Sequence, residues 1–370
     1  MKAGAAVLSG VGEPWTIEEV ELDEPAPSEV LVRMTAVGLC HSDEHLVTGD
    51  LPSALPVVGG HEGSAVVEAV GSEVTSVAVG DHVVMSFIPS CGRCRWCSSG
   101  HQTLCDLGAH LATGVPIANG VHRMRARGEG LAPMCLVGCF ATHQVVHEAS
   151  VVRIEPYIPL DKAALVSCGV VTGFGSAVNT AEVRPGDIVV VIGVGGIGAN
   201  AVQGARVAGA RAIVAVDPLE EKRKASLGFG ATHTAADVFS AYAVVNELSW
   251  GQLADSAILT VDLARGELVA PTMALVRKGG RVVVTAIAPF TQHEVSLSLF
   301  ELTLWHKELR GSLFGGGNPR ADIALVLKLY ESGQLDLDAL VTKTYRLDEI
   351  NEGYEDLRAG RNIRGLICFD

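Results

Sequence analysis

Two textures of apolar patterning divide the chain. Up to about residue 155, short valine-rich runs are bounded by Gly, Pro or Asp, as in Glu29-Val-Leu-Val-Arg-Met34, Ser64-Ala-Val-Val-Glu-Ala-Val70 and Asp81-His-Val-Val-Met85. Such runs between turn formers predict strands, and the region reads as all-β or α+β. The texture changes after the turn signal Arg184-Pro-Gly-Asp187. Ile188-Val-Val-Val-Ile192 is an unbroken apolar strand, followed by a helical pattern over residues 197–208. Arg211-Ala-Ile-Val-Ala-Val216 precedes a second predicted helix over residues 219–229, and further strands are expected at Ser256-Ala-Ile-Leu-Thr-Val261 and Arg281-Val-Val-Val-Thr285. Strand and helix in alternation predict a parallel, doubly wound sheet. From about Asn318 the pattern becomes a helix over residues 321–331, then short mixed elements to Asp370. No internal repeat or low-complexity tract is visible.

At 370 residues the chain is long for one hydrophobic core and suits two domains. The 28 basic and 42 acidic side chains leave a net charge of −14, which disfavours contact with a phosphate backbone. Nucleic acid is therefore not the expected partner. The longest apolar stretch, residues 188–202, is interrupted by glycines and Asn200 and is too short to span a bilayer. The N-terminal residues lack the apolar length of a signal peptide, so a cytoplasmic protein without membrane contact is expected. In a reducing compartment, nine cysteines point to metal binding or catalysis rather than to disulfides.

Their placement sharpens this. Cys91, Cys94, Cys97 and Cys105 have the spacing C-x2-C-x2-C-x7-C, and four thiolates on one loop complete a closed tetrahedral zinc site with no open position. Gly193-Val-Gly195-Gly196-Ile-Gly198 fits G-x-G-x-x-G between a predicted strand and a predicted helix. There the glycines let the backbone approach a pyrophosphate at the helix N-terminus. Asp217 ends the next strand, where a carboxylate bonds ribose hydroxyls and repels a 2′-phosphate, which favours NAD over NADP. A third group is scattered: Cys40-His-Ser-Asp-Glu-His45, Gly60-His-Glu62 and Ser167-Cys-Gly169. One imidazole and two thiolates would leave a fourth zinc position open. Spacing alone does not choose between that and ordinary buried Cys and His.

Taken in order along the whole chain, these motifs resemble the zinc-dependent medium-chain alcohol dehydrogenases. More narrowly, Leu46-Val-Thr-Gly-Asp-Leu-Pro52, Cys91-Gly-Arg-Cys-Arg-Trp-Cys97, Phe300-Glu-Leu-Thr-Leu304 and Asn351-Glu-Gly-Tyr354 are similar to the actinobacterial nitrosodimethylaniline-dependent branch. The resemblance implies a GroES-like, β-rich catalytic domain (1–169 and 315–370) and a Rossmann coenzyme domain (170–314). It implies two zinc ions per subunit, with Cys40, His61 and Cys168 as ligands of the catalytic one. Asp43 would orient His61 and Glu62 would stand near the metal. Ser42 would take the alcohol proton and relay it, through the nicotinamide ribose, to His45 at the surface. His41 and Arg364 would face the pyrophosphate, Lys222 the adenosine ribose, and Thr172 the nicotinamide. Leu51 and Phe87 would wall the substrate pocket. Histidine at position 41, where many members have arginine, makes that pyrophosphate contact weaker. The branch implies NAD(H) held as a bound group, and the family implies a homodimer or homotetramer.

The expected activity is hydride transfer between a primary or secondary alcohol, or its aldehyde or ketone, and NAD(H). A thiol-dependent formaldehyde dehydrogenase shares every motif and differs only in pocket residues. A zinc-free quinone reductase should lack both cysteine sets, and a non-catalytic nucleotide sensor has no need of the proton relay. Cys135, Cys139 and Cys368 receive no role and are expected to be buried. Arg123-Met-Arg-Ala-Arg127 reads as a solvated loop face.

Overall fold

The structure is a computed structural model and describes residues 1–369. Its internal contacts form two compact units: Met1–Cys168 together with the C-terminal residues from Asn318, and Gly169–Gly317.

The first unit carries two mostly antiparallel sheets. In one, Glu29–Gly38 is central, flanked by Glu62–Val70 on one side and by Arg364–Cys368 and His143–His147 on the other. Val30, Val32, Met34 and Ala36 alternate inward along the central strand and are fully buried, as expected of a strand with one face on the core. In register, Gly38 pairs with Glu62 on one side and Leu366 on the other. Three strand ends therefore meet at one edge, bringing Cys40, His61 and Arg364 together.

The second unit is a six-stranded, wholly parallel sheet. Two of its interior strands, Ile188–Ile192 and Ala212–Val216, are buried along their full length, the signature of strands covered on both faces. The helix Gly196–Val207 follows the first, and Glu220–Phe229 follows the second, ending at Gly230 in the left-handed region.

Two helical segments lie where the sequence pattern predicts no element. Val238–Leu248 is a helix started by a capping box between Asp237 and Ser240. Leu160–Thr180 is one helical run with two wider, π-type turns, and by length and composition it could cross a membrane. It exceeds the 188–202 stretch taken above as the longest apolar segment, yet 89% of its most apolar window is buried inside the protein. That is the behaviour of a core helix. Cys168 lies in the first π-type turn, a feature that often marks functional positions.

Candidate functional site

The four-cysteine loop brings its sulfurs together. Cys94 caps the short helix Arg95–Ser98, its sulfur accepting the Cys97 N–H. Further N–H groups reach sulfur from Cys94 to Cys91 (3.3 Å) and from Cys91 to Cys105 (3.5 Å). The Sγ atoms of Cys91 and Cys97 stand 3.9 Å apart, and those of Cys94 and Cys105 stand 4.0 Å apart. A disulfide would need about 2 Å, whereas a tetrahedron with Zn–S bonds of about 2.3 Å has edges of about 3.8 Å. Both distances are close to such an edge, and all four sulfurs lie within 4.8 Å of one another. Backbone hydrogen bonds hold the Cys94 thiol down near about 6, while burial pushes Cys105 up to about 12. Without a cation the four sulfurs must share protons; a divalent ion replaces them.

The scattered group converges in the same unit. Cys40, His61, Glu62 and Cys168 are all buried, and one ligand atom from each lies within 4.8 Å of the others. Cys40, extended and two residues past the end of the central strand, holds the N-cap position of the helix His41–Thr48. Asp43, fully buried, accepts the Gly60 N–H at 2.8 Å and faces His61 Nδ1 at 3.3 Å through the same oxygen. That directs His61 Nε2 at the thiols, where it is buried with no hydrogen-bond partner. An orphaned imidazole nitrogen beside two thiols is the chemistry of a metal ligand set. The hydrogen bond from Cys168 holds the Cys40 thiol well below its ordinary range, and Cys168 is pushed well up in return. Burial opposes charge on His61, but Asp43 and Cys40 together raise it. Phe87 packs edge-on against the His61 ring at 5.4 Å.

Burial pushes Glu62 up to about 7 against the pull of Arg364. The Arg364 guanidinium lies 3.1 Å from Glu62 Oε1, and both residues are inside the fold. The sequence suggested a pyrophosphate contact for Arg364; the buried counter-ion role had no local signal. Gly38 makes room for the pair, since a Cβ there would stand 2.2 Å from Glu62 Oε2.

The relay residues lie on the helix His41–Thr48. Ser42 Oγ is 3.6 Å from Cys40 Sγ, and His41 is half-buried. His45 was expected at the surface, and here the structure corrects the reading. Its side chain is 5% exposed and stands 3.5 Å from Asp50, which is partly exposed. The chain reverses at Gly49, and the Leu51 N–H bonds the His45 carbonyl, folding residues 49–51 back over the ring.

In the second unit the glycine motif forms a tight strand-to-helix turn. A Cβ on Gly198 would stand 1.9 Å from the Gly193 carbonyl, so only glycine permits this packing; Gly195 faces open space. The helix Gly196–Val207 begins with no side-chain cap, leaving its first N–H groups for a ligand. Asp217 is held by the N–H groups of Val194 (3.0 Å) and Leu219 (2.9 Å), one per oxygen, with lone pairs left over. Lys222 is half-buried one turn into the next helix. Its neighbour Arg223, which the sequence did not single out, donates to the Asp217 and Pro218 carbonyls. Thr172 is buried with its hydroxyl unpartnered, next to Gly173, which packs on the Ile197 carbonyl. These residues fit a dinucleotide.

The remaining assignments are simpler. Cys139 is buried, but Cys135 and Cys368 are only partly so, contrary to expectation. Arg123, Arg125 and Arg127 are each paired, with Glu29, Asp23 and Glu18.

Comparisons with known proteins agree with this geometry. Residues 26–156 match the alcohol dehydrogenase GroES-like domain, and residues 196–332 match the zinc-binding dehydrogenase domain. The chain is 51% identical over 367 residues to a putative alcohol dehydrogenase D of Mycobacterium tuberculosis, covering 99% of this chain and 100% of that one. It is 49% identical to the NDMA-dependent alcohol dehydrogenase of Amycolatopsis methanolica, covering 99% of each. Among solved structures, an alcohol dehydrogenase zinc-binding domain protein of Burkholderia ambifaria superposes with a TM-score of 0.93 at 31% identity, over 100% of this chain and 99% of that one. Benzyl alcohol dehydrogenase of Acinetobacter calcoaceticus gives 0.91 at 28%, over the whole of both chains. The chain belongs to the zinc-dependent, medium-chain alcohol dehydrogenase family.

Proposed function

We propose that the protein transfers hydride between a primary or secondary alcohol, or its aldehyde or ketone, and tightly held NAD(H), using two zinc ions per subunit. The observation that carries this reading is the buried, unpartnered His61 Nε2 facing Cys40 and Cys168. Cys40, His61 and Cys168 would hold the catalytic ion and Cys91, Cys94, Cys97 and Cys105 the structural one. A catalytic zinc acts as a Lewis acid on the substrate oxygen. Ser42 takes the alcohol proton and passes it toward His45, and Asp50 connects His45 to water. Asp43 keeps the His61 ring in the ligating tautomer. Glu62 and Arg364 neutralise one another beneath the thiolates.

The helix N-terminus after Gly193, Gly195, Gly196 and Gly198 would receive the pyrophosphate. Asp217 and Lys222 would grip the adenosine ribose, and Thr172 the nicotinamide. Tight retention draws support from the relative in Amycolatopsis methanolica, whose name records a dependence on an artificial acceptor. The test is to gel-filter the protein, denature it by heat and assay the supernatant. Close to one NAD(H) per subunit is expected, with turnover supported by an aldehyde or nitrosodimethylaniline. Near-zero recovery with saturable dependence on added NAD⁺ would instead describe an exchanging dehydrogenase.

The NAD preference rests on Asp217. Asp217→Ala removes a charged acceptor worth about 1.5–3 kcal/mol, so NAD affinity should fall roughly 10- to 100-fold while NADP affinity rises. Titration with both cofactors reads this directly. An unchanged ratio would assign the selectivity to other residues.

Association into a homodimer or homotetramer is also proposed. Phe290, Leu299, Phe300 and Leu304 are each more than half exposed, and the last three directly precede the edge strand Glu308–Gly311. Large apolar side chains gathered beside an open sheet edge are commonly covered by a partner.

A further inference from the structure

The helix Ile350–Arg358 presses a tyrosine toward the metal cluster. Its inner face carries Ile350, Gly353, Tyr354 and Leu357, all buried. Asn351 fixes the helix from outside through two hydrogen bonds to the Trp15 backbone, at 3.1 and 2.9 Å. Gly353 lies so close to Leu39 that a Cβ would stand 2.4 Å from its methyl, which sets the helix against the residue preceding Cys40.

Tyr354 packs in an aromatic cluster with Trp15 (6.2 Å, stacked) and Phe140 (6.3 Å, edge-on). That cluster covers Gly59 and Gly60, where a Cβ would meet the rings of Trp15 and Phe140. Gly60 is the residue whose N–H binds Asp43 Oδ1. Two polar atoms here lack a hydrogen bond: the Tyr354 hydroxyl and Asp43 Oδ2, both fully buried. Buried donors and acceptors left single are rare, because each forfeits about 1–3 kcal/mol of solvation.

We infer that Tyr354 is a positioning residue for the catalytic metal: its hydroxyl donates to Asp43 Oδ2 and so fixes the carboxylate whose other oxygen orients His61. Burial, and then the Asp43 charge beside it, push the phenol well above its ordinary range. It therefore stays protonated and able to donate. Groups that orient a metal-bound imidazole typically govern metal affinity by 10- to 100-fold. Tyr354 acts one step further out.

The inference rests on the zinc reading of Cys40, His61 and Cys168, and the experiment separates the two. Zinc release from the intact protein to a colorimetric chelator is followed for the parent and for Tyr354→Phe. The variant should lose one zinc per subunit roughly tenfold faster, with the other zinc unchanged. After cobalt replacement, its ligand-field bands should shift. In an Asp43→Asn background, adding Tyr354→Phe should cause no further acceleration, because the path through Asp43 is already cut. A parental release rate with an unshifted cobalt spectrum overturns the positioning role, as does an equal acceleration in both backgrounds, which would mark a packing effect. A parent protein that holds no zinc outside the four-cysteine loop overturns the zinc reading and this inference together.

Discussion

Cys168→Ala is expected to fold, to contain one zinc fewer per subunit, and to oxidise alcohols at least about a thousandfold more slowly. Cys168 sits in the helical run Leu160–Thr180, where alanine is well tolerated, so the loss should be chemical rather than structural. A metal's polarisation of a reacting oxygen contributes several kcal/mol, and each 1.36 kcal/mol is about tenfold in rate. Metal analysis and steady-state kinetics on the same preparation read both outcomes. Retained activity with two zinc ions would remove Cys168 from the ligand set.

The second large effect concerns the loop from Cys91 to Cys105. Apart from Cys97 and Cys105, its helical turns bury nothing, so the loop has almost no hydrophobic core of its own. On the two-zinc reading its order comes from the metal, since structural zinc sites contribute folding energy outright. Cys94→Ser removes both a ligand and the cap of the helix Arg95–Ser98. A loss of several kcal/mol is expected, or a melting temperature lower by on the order of 10 °C. Limited proteolysis should then cut within the loop. A variant that melts like the parent and keeps its zinc would show that the loop folds without this ligand.

Much of this architecture was readable residue by residue. Ile188–Ile192 and Ala212–Val216 are buried on both faces, so their apolar runs are unbroken and unambiguous. The four cysteines are local in sequence and local in space. Val238–Leu248 was obscure because its valines and aromatics favour strands, and the capping box at Asp237 and Ser240 decides it. Leu160–Thr180 was obscure because glycines interrupt it. Two of them exist to admit neighbours: Gly173 meets the Ile197 carbonyl and Gly175 meets Gly315. The burial of His45 depends on a reversal at Gly49 that no side-chain period records. The partnership of Glu62 and Arg364 joins positions 302 residues apart, and no local pattern encodes such a contact.

That last separation bears on how the protein is made. The strand Arg364–Cys368 pairs with Glu29–Gly38, so the sheet beside Cys40 and His61 is completed by residues that begin 302 positions after Glu62. Until they emerge, Glu62 has no guanidinium beside it, and a carboxylate stranded in an apolar interior costs several kcal/mol. A nascent chain can assemble the four-cysteine loop and the whole of Gly169–Gly317 during synthesis. Its other metal pocket must wait for Arg364, so a chain interrupted before that strand would leave the pocket without its counter-charge.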